Sequence, residues 1–241
     1  MKFSIVVPCY NEEKNISSLL ESIKELDYPQ NDFEVIIVDN NCTDKTVEIA
    51  TSYDFPKIVK EEKQGLTFAR QRGFLSAQGE IILALDADCR LKKDSLKIIE
   101  KYFDSNSKII AVSGPYEYAD INFIFRKISL FFQIIFYPLV PKLLQLFFRK
   151  PAALIIGGNT AIRKNILEEM GGYNTSVKFW GEDALMAFKL AKYGKVIFSP
   201  KLKVSTSGRR FKKEGYLKTI IRYFLNYFWL YFFNKPFVRE K

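Results

Sequence analysis

A chain of 241 residues, 48 % of them hydrophobic, can bury one sizeable core, a length suited to one large α/β domain or a domain with an appendage. It carries a formal charge of +10 and no histidine, which excludes a Ser-His-Asp triad, a histidine general base and histidine metal ligands; any metal site must be mostly oxygen-ligated, favouring Mg²⁺ or Mn²⁺ over zinc. The three scattered cysteines (Cys9, Cys42 and Cys89) fit a reducing, cytosolic setting, and Lys2 followed at once by a strand-like run speaks against a signal peptide.

The first 114 residues alternate strand and helix signals. Phe3–Val7 is a short apolar run ending at Pro8. A helix follows from about Glu12 to Leu26, because Ile16, Leu19, Leu20 and Ile23 recur at helical spacing. Phe33–Val38 is the next strand and stops at Asp39, after which Thr43 or Asp44 caps a helix through about Ser52. Lys57–Val59 is a weak strand, Leu66–Ala77 a helix, and Ile81–Leu85 a buried strand. Another helix starts at Asp94 or Ser95, and Ile109–Val112 closes the series. Repeated βα units of this length predict a parallel sheet covered on both faces. Ligands of such sheets gather at the carboxyl ends of the strands. Pro8, Asp39 and Asp86 all fall at such ends.

Asp86-Ala87-Asp88 is the sharpest of these signals. Two carboxylates one residue apart at a strand end can reach one divalent cation, and that cation can hold a diphosphate. The alternative is a polar strand-to-turn junction, since Asp is common in turns.

The stretch Ile128–Phe148 is almost wholly apolar and long enough to cross a bilayer, but Pro138 and Pro141 interrupt it. It reads as a pair of buried helices, a span, or two short helices lying in the bilayer surface. Arg126, Lys127, Arg149 and Lys150 flank it as interfacial anchors do, which favours the last. Beyond it come Leu154–Ile156, a strand to Ile162, a short helix to Met170, a turn at Gly171–Asn174 and a helix from Glu182 to about Tyr193. Val196–Phe198 and Leu202–Val204 are short strands, and Tyr216–Phe233 is an aromatic-rich helix. Charge divides along the same line. Residues 1–120 hold 15 Lys+Arg against 21 Asp+Glu, a balance of −6; residues 121–241 hold 22 against 6, a balance of +16. Basic charge mixed with long apolar runs suits an anionic membrane surface, whereas the acidic first half would repel nucleic acid.

Taken together, several segments resemble the family 2 glycosyltransferases of GT-A fold. They are Ile5-Val6-Val7-Pro8-Cys9-Tyr10-Asn11-Glu12-Glu13, Ile36-Ile37-Val38-Asp39-Asn40-Asn41-Cys42-Thr43-Asp44, Gly65 through Arg70 to Gly73, Asp86-Ala87-Asp88, Gly157-Gly158-Asn159, Gly171-Gly172-Tyr173 and Trp180-Gly181-Glu182-Asp183. The resemblance implies an α/β fold with a Rossmann-like, mostly parallel central sheet and helices on both faces, to which the apolar runs add amphipathic membrane-associated helices. It implies a glycosyltransferase domain over 1–210, with a nucleotide-binding half (1–114), an apolar membrane-associated insertion (121–150) and an acceptor half (151–210). A basic aromatic C-terminal helix occupies 211–241.

By the same resemblance Pro8, Tyr10, Asn11 and Glu12 line the nucleotide-sugar site, and Asp39 binds the base; a helix cap is the alternative for Asp39. Arg70 neutralises phosphate unless it is a plain surface arginine. Asp88 is the principal ligand of Mn²⁺ or Mg²⁺, with Asp86 nearer the ribose or a metal-bound water. Gly158, Asn159 and Trp180 lie on the acceptor side. Asp183 is the base for an acceptor hydroxyl and Glu182 an acceptor-binding or loop-positioning residue, although acidic residues also favour helix N-termini. Many relatives carry a histidine after the Leu202–Val204 strand; here stand Ser205-Thr206-Ser207-Gly208-Arg209-Arg210, so a hydroxyl or water replaces that ligand. Arg209 and Arg210, in a glycine-containing loop, either clamp the diphosphate or form a basic membrane-facing loop with Lys212 and Lys213. The Gln, two spacers, Arg, Trp motif of processive synthases is missing, which points to transfer of one sugar at a time.

The expected activity is therefore metal-dependent, inverting transfer from a nucleotide-sugar donor to a hydroxyl of a lipid-linked or membrane-proximal glycan acceptor. The expected place is the cytoplasmic face of a membrane, bound peripherally or monotopically through anionic lipids. Transfer to a polyprenyl phosphate, and a non-catalytic membrane-binding protein on a transferase scaffold, are the alternatives. A single membrane crossing at Ile128–Phe148 would separate Asp88 from Asp183, so a shared active site requires that stretch to stay on one side.

Overall fold

The computed structural model describes residues 1–177 and 181–233. A seven-stranded sheet forms its centre, in the order β3-β2-β1-β4-β7-β5-β8. The strands are β1 (Phe3–Cys9), β2 (Phe33–Asp39), β3 (Pro56–Lys60), β4 (Ile81–Leu85), β5 (Ile109–Ser113), β7 (Asn159–Arg163) and β8 (Lys195–Phe198). All neighbouring pairs are parallel except those of β7, which runs antiparallel between β4 and β5. Two short strands, β6 (Tyr116–Tyr118) and β9 (Val204–Thr206), pair separately in parallel. The sequence expectation of a mostly parallel sheet with helices on both faces holds.

Alternation along the strands builds one core on each face. Ile5 and Val7 point toward α1 (Ile16–Lys24), which buries Ile16, Leu19, Leu20 and Ile23, and toward α4 (Ser95–Ser105), which buries Leu96, Ile99 and Phe103. Val6, Ile36 and Val38 point the other way, onto α3 (Leu66–Ser76), α6 (Lys164–Glu169) and α7 (Glu182–Leu190). The small helix α2 (Thr46–Thr51) lies between β2 and β3 in the chain. Gly73 lets α3 lie close on the sheet: a Cβ there would meet Val6 Cγ1 at 2.2 Å. Arg70 sits one helical turn earlier on α3, so this close seat carries its side chain to the strand ends.

The apolar stretch is one helix, α5 (Phe123–Phe148), with both prolines inside it. The expectation of two short helices is corrected here. Each proline removes one N–H bond, and docking along the whole length holds the remaining turns in line. Phe125 packs on Tyr216 with ring centroids 4.0 Å apart, Gln133 accepts from the Tyr116 amide at 2.8 Å, and Tyr137 lies 4.6 Å from the Phe198 ring. Leu144 shares a small core with Tyr227, Leu230 and Tyr231 of α9 (Tyr216–Phe233). By length and composition α5 is able to cross a membrane. Its contacts lay it along the domain, with an open apolar outer face that includes Phe131, Leu146 and Phe147. Arg209 and Arg210 begin a short helix, α8 (Arg209–Glu214), rather than standing in a loop.

Candidate active site

The ends of β1, β2 and β4 meet at one edge of the sheet, where Cys9 is paired with Asp39. After β1 the chain turns at Asn11, whose φ of 55° is left-handed, a conformation asparagine tolerates. Its side-chain oxygen accepts from the Thr43 amide at 2.8 Å, which ties the first loop to the second. Asp39 accepts from the Cys42 amide at 2.8 Å, closing a tight side-chain turn. It is not a helix cap: α2 begins only at Thr46, whose amide donates to Asp44. Pro8 is half-buried in this crevice and Tyr10 stands at its rim, 54 % exposed.

Sequence reasoning passed over Asn40. Its buried amide donates to the Glu61 and Lys63 carbonyls at 3.0 and 2.8 Å and accepts from Gly65 at 2.8 Å, so it fixes the approach to α3.

Asp86 is held by two donors. Arg70 Nη2 reaches Oδ1 at 3.2 Å and the Tyr116 hydroxyl donates to Oδ2 at 2.8 Å. Burial and the Asp86 charge push the Tyr116 phenol well above its ordinary value, which keeps it a donor. Asp88 Oδ1 accepts from the Thr206 hydroxyl at 3.0 Å, and Oδ2 lies 3.6 Å from Arg209. The Arg209 guanidinium forks onto the carboxylate of Glu12. Glu12 thus holds an arginine over the strand ends. Burial, then the neighbouring Asp86 charge, raises the Asp88 carboxyl to about 6.

Arg70 joins these strand-end acids to the Glu182-Asp183 pair. It is 4 % exposed, and its Nη1 reaches Asp183 at 3.0 Å and Glu182 at 4.0 Å while Nη2 holds Asp86. Burial opposes its charge, but Asp183, Asp86 and Glu182 outweigh that and hold its pKa above the ordinary value. Its guanidinium is therefore turned to carboxylates rather than offered to phosphate as expected. Asp183 also accepts from the Gly157 amide at 3.0 Å. Both glycines are needed for space. A Cβ on Gly157 would meet Asp183 Oδ1 at 1.8 Å, and one on Gly158 would meet Asp86 Cγ at 2.0 Å. Gly158, expected on the acceptor side, accordingly borders Asp86 and Tyr116. Burial and the Asp183 charge raise Glu182 to about 7.

A cavity of about 600 Å³ opens beside Asp183, lined by Thr67, Arg70, Tyr173, Glu182 and Met186 among others.

Asn159, expected on the acceptor side, is fully buried, and its amide donates to the Leu202 carbonyl at 2.8 Å. It anchors the start of β7 and is out of reach of an acceptor. Trp180 lies outside the described residues. The two arginines of α8 part company: Arg209 faces Glu12 and Asp88, whereas Arg210 donates to the Tyr223 hydroxyl of α9. Tyr116 and Thr206 hold Asp86 and Asp88; Thr206 stood in the segment marked for a missing histidine, but nothing local to Tyr116 signalled its role.

Strand-end acids, a buried bridging arginine and a glycine-flanked second acid pair now stand in one crevice. A model of the family described as Glycosyl transferase family 2 matches residues 4–171. The chain belongs to that family. This family 2 chain is 35 % identical over 111 residues to the poly(ribitol-phosphate) beta-N-acetylglucosaminyltransferase TarS of Staphylococcus aureus, covering 44 % of this chain and 19 % of TarS. It is 32 % identical over 100 residues, 39 % of this chain, to a dolichyl N-acetyl-alpha-D-glucosaminyl phosphate 3-beta-D-2,3-diacetamido-2,3-dideoxy-beta-D-glucuronosyltransferase of Methanococcus voltae, of which it covers 31 %. Among solved structures it resembles the mannosyltransferase PcManGT of Pyrobaculum calidifontis, in complex with GDP-Man and Mn²⁺. The TM-score is 0.68 at 25 % identity, over 86 % of this chain and 56 % of that one. The chain thus spans less than two thirds of the length of each of these relatives. The sheet and its flanking helices are those of the GT-A glycosyltransferases.

Proposed function

We propose that this family 2 chain is a metal-dependent, inverting glycosyltransferase that moves a sugar from a nucleotide-sugar donor to a hydroxyl of a lipid-linked or membrane-proximal acceptor. The observation that carries the reading is the Arg70 bridge. One buried guanidinium spans Asp86 at 3.2 Å and Asp183 at 3.0 Å, so acids from opposite ends of the motif series face a single crevice.

In this reading Asp39 takes the base, and the loop from Pro8 to Asn11 borders the nucleoside. Arg209 faces the diphosphate and exchanges its contact with Asp88 for phosphate oxygens. Asp183, aimed by Arg70 and by the Gly157 amide, accepts the proton of the acceptor hydroxyl. The acceptor oxygen forms its bond to C1 from the face opposite the diphosphate. The C1–O bond breaks, its electron pair leaves with the nucleoside diphosphate, and the configuration inverts. Glu182 borders the acceptor and neighbours the base.

The donor set suits a hard cation. Asp88 and Asp86 offer oxygen only, and burial followed by the neighbouring Asp86 charge raises the Asp88 carboxyl, a penalty that a cation would relieve. Among the described residues no third His, Cys, Asp or Glu completes a cluster with them. Asp88 and Asp86 would hold Mn²⁺ or Mg²⁺, and the ion would supply Lewis-acid stabilisation of the departing diphosphate. The Mn²⁺ and GDP-Man of the PcManGT complex support a divalent ion beside a nucleotide-sugar donor.

We assign 1–114 to nucleotide binding, 151–210 to acceptor binding, and 121–150 with 211–241 to peripheral attachment at the cytoplasmic face of an anionic membrane. A calorimetric titration of nucleoside diphosphates with and without Mn²⁺ tests the core of this, in wild type and Asp88→Asn. Binding should depend on the ion in the wild type and lose that dependence in the variant. Equal affinity in all four cases would remove the metal from the scheme.

A further inference from the structure

Arg209 and Arg210 are adjacent, yet they serve different sides of the crevice. Arg209 forks onto Glu12 and approaches Asp88, on the donor side. Arg210 donates to the Tyr223 hydroxyl, with its guanidinium 5.9 Å from the centre of that ring. Tyr223 lies one helical turn before Asn226 on α9, on the side of that helix that meets the start of α7. Helix α9 also roofs the start of α7. A Cβ on Gly181 would meet Leu230 Cδ1 at 2.4 Å and Asn226 Nδ2 at 2.9 Å.

Both α5 and α9 leave large apolar side chains open, among them Phe131, Leu146, Leu217 and Phe224. Across both helices there is no Asp or Glu, while Arg126, Lys127, Lys142, Lys218 and Arg222 are basic. Such a surface complements an anion that carries hydrocarbon.

We propose that Arg210 and Tyr223 form a subsite for the phosphate of an amphiphilic acceptor whose hydrocarbon chain lies against α5 and α9. The inference rests on the reading of Asp183 as the transferase base, and it moves Arg210 from the donor to the acceptor. A guanidinium presents paired donors that match phosphate oxygens, and the phenol adds a third. A phosphate held there brings the sugar attached to it beside Asp183. The donor diphosphate keeps its own arginine, so the two anionic ligands do not compete for one cation.

The test titrates the full chain with farnesyl diphosphate, farnesol and inorganic diphosphate, and separately with a nucleoside diphosphate plus Mn²⁺. Farnesyl diphosphate should bind more tightly than either control. Arg210→Gln and Tyr223→Phe should each weaken it by roughly tenfold, the loss of about one charge-assisted hydrogen bond, and leave nucleoside diphosphate affinity in place. Arg210→Lys keeps the charge and should recover part of the loss. Tyr223→Phe keeps the ring, so a fold disturbed by the arginine change does not decide the matter. Farnesol binding as well as farnesyl diphosphate would overturn the subsite. So would an Arg210→Gln protein that loses nucleoside diphosphate and keeps farnesyl diphosphate. A wild type that binds no nucleoside diphosphate sinks the transferase reading itself; one that binds it but ignores the phosphate on the farnesyl chain sinks only this inference.

Discussion

Asp183 is held from two directions, by Arg70 at 3.0 Å and by the Gly157 amide at 3.0 Å, so its removal should touch chemistry before binding. Asp183→Asn is expected to keep nucleoside diphosphate affinity and lose turnover by roughly 10²–10⁴-fold, the usual share of a general base. Single-turnover transfer to a hydroxyl acceptor checks this; undiminished transfer would move the base elsewhere. Glu182 supplies a pH signature. Its carboxyl is raised from 4.5 to about 7, chiefly by burial and then by Asp183. The unfolded chain ionises this group first, so its stabilising contribution is complete below about pH 4.5 and lost as pH rises through 7. The loss is at most about 3 kcal/mol. Urea midpoints at pH 5 and pH 8 should fall in the wild type and fall less in Glu182→Gln; equal slopes would remove Glu182 as the source. Asp88, raised to about 6, adds a slope of the same sign to both proteins.

The residues legible before folding were those whose role depends on a strand end. Asp39, Asp86 and Asp88 follow apolar runs, and that alone places them on the ligand edge of the sheet. Tyr116 and Asn40 were not legible, because each acts on a partner brought near only by the tertiary fold. Asn159 was misplaced for a related reason: its motif fits the crevice, but β7 pairing turns its side chain inward to Leu202.

At the scale of elements, helix periods and strand runs located the sheet and its covering helices to within a few residues. The apolar helix was the exception. Two prolines three residues apart suggested a break, and docking against β6, β8 and α9 overrode that local rule. The docked pose leaves apolar side chains such as Leu146 and Phe147 open, at 71 % and 72 % exposure. Each such side chain fully buried in a bilayer interface contributes roughly 1.5–3 kcal/mol, and each nearby Lys or Arg about 1 kcal/mol on anionic lipid. Liposome flotation should therefore show binding that weakens with salt and persists at high salt, since apolar burial is not screened. Leu146→Ser with Phe147→Ser should abolish the salt-resistant part. Binding that vanishes wholly in salt would leave α5 with no apolar role.

For the whole molecule, the acidic first half and the basic second half meet in one sheet, with the acids of both around Arg70. Asp88 and Asp183 therefore belong on one side of any membrane. In sealed vesicles carrying the protein, protease sites before Asp88 and after Asp183 should be cut from the same side. Protection of only one would end the shared-site reading. The order of strands has a further consequence, for synthesis. β7 is the partner that β4 and β5 both require, yet α5 separates it from β5 in the chain. Until residue 163 has left the ribosome, two inner strands present bare edges, a template for wrong pairing. Residues 1–114 thus cannot complete the sheet alone. This chain must expose its most apolar helix to the cell before its central sheet can close.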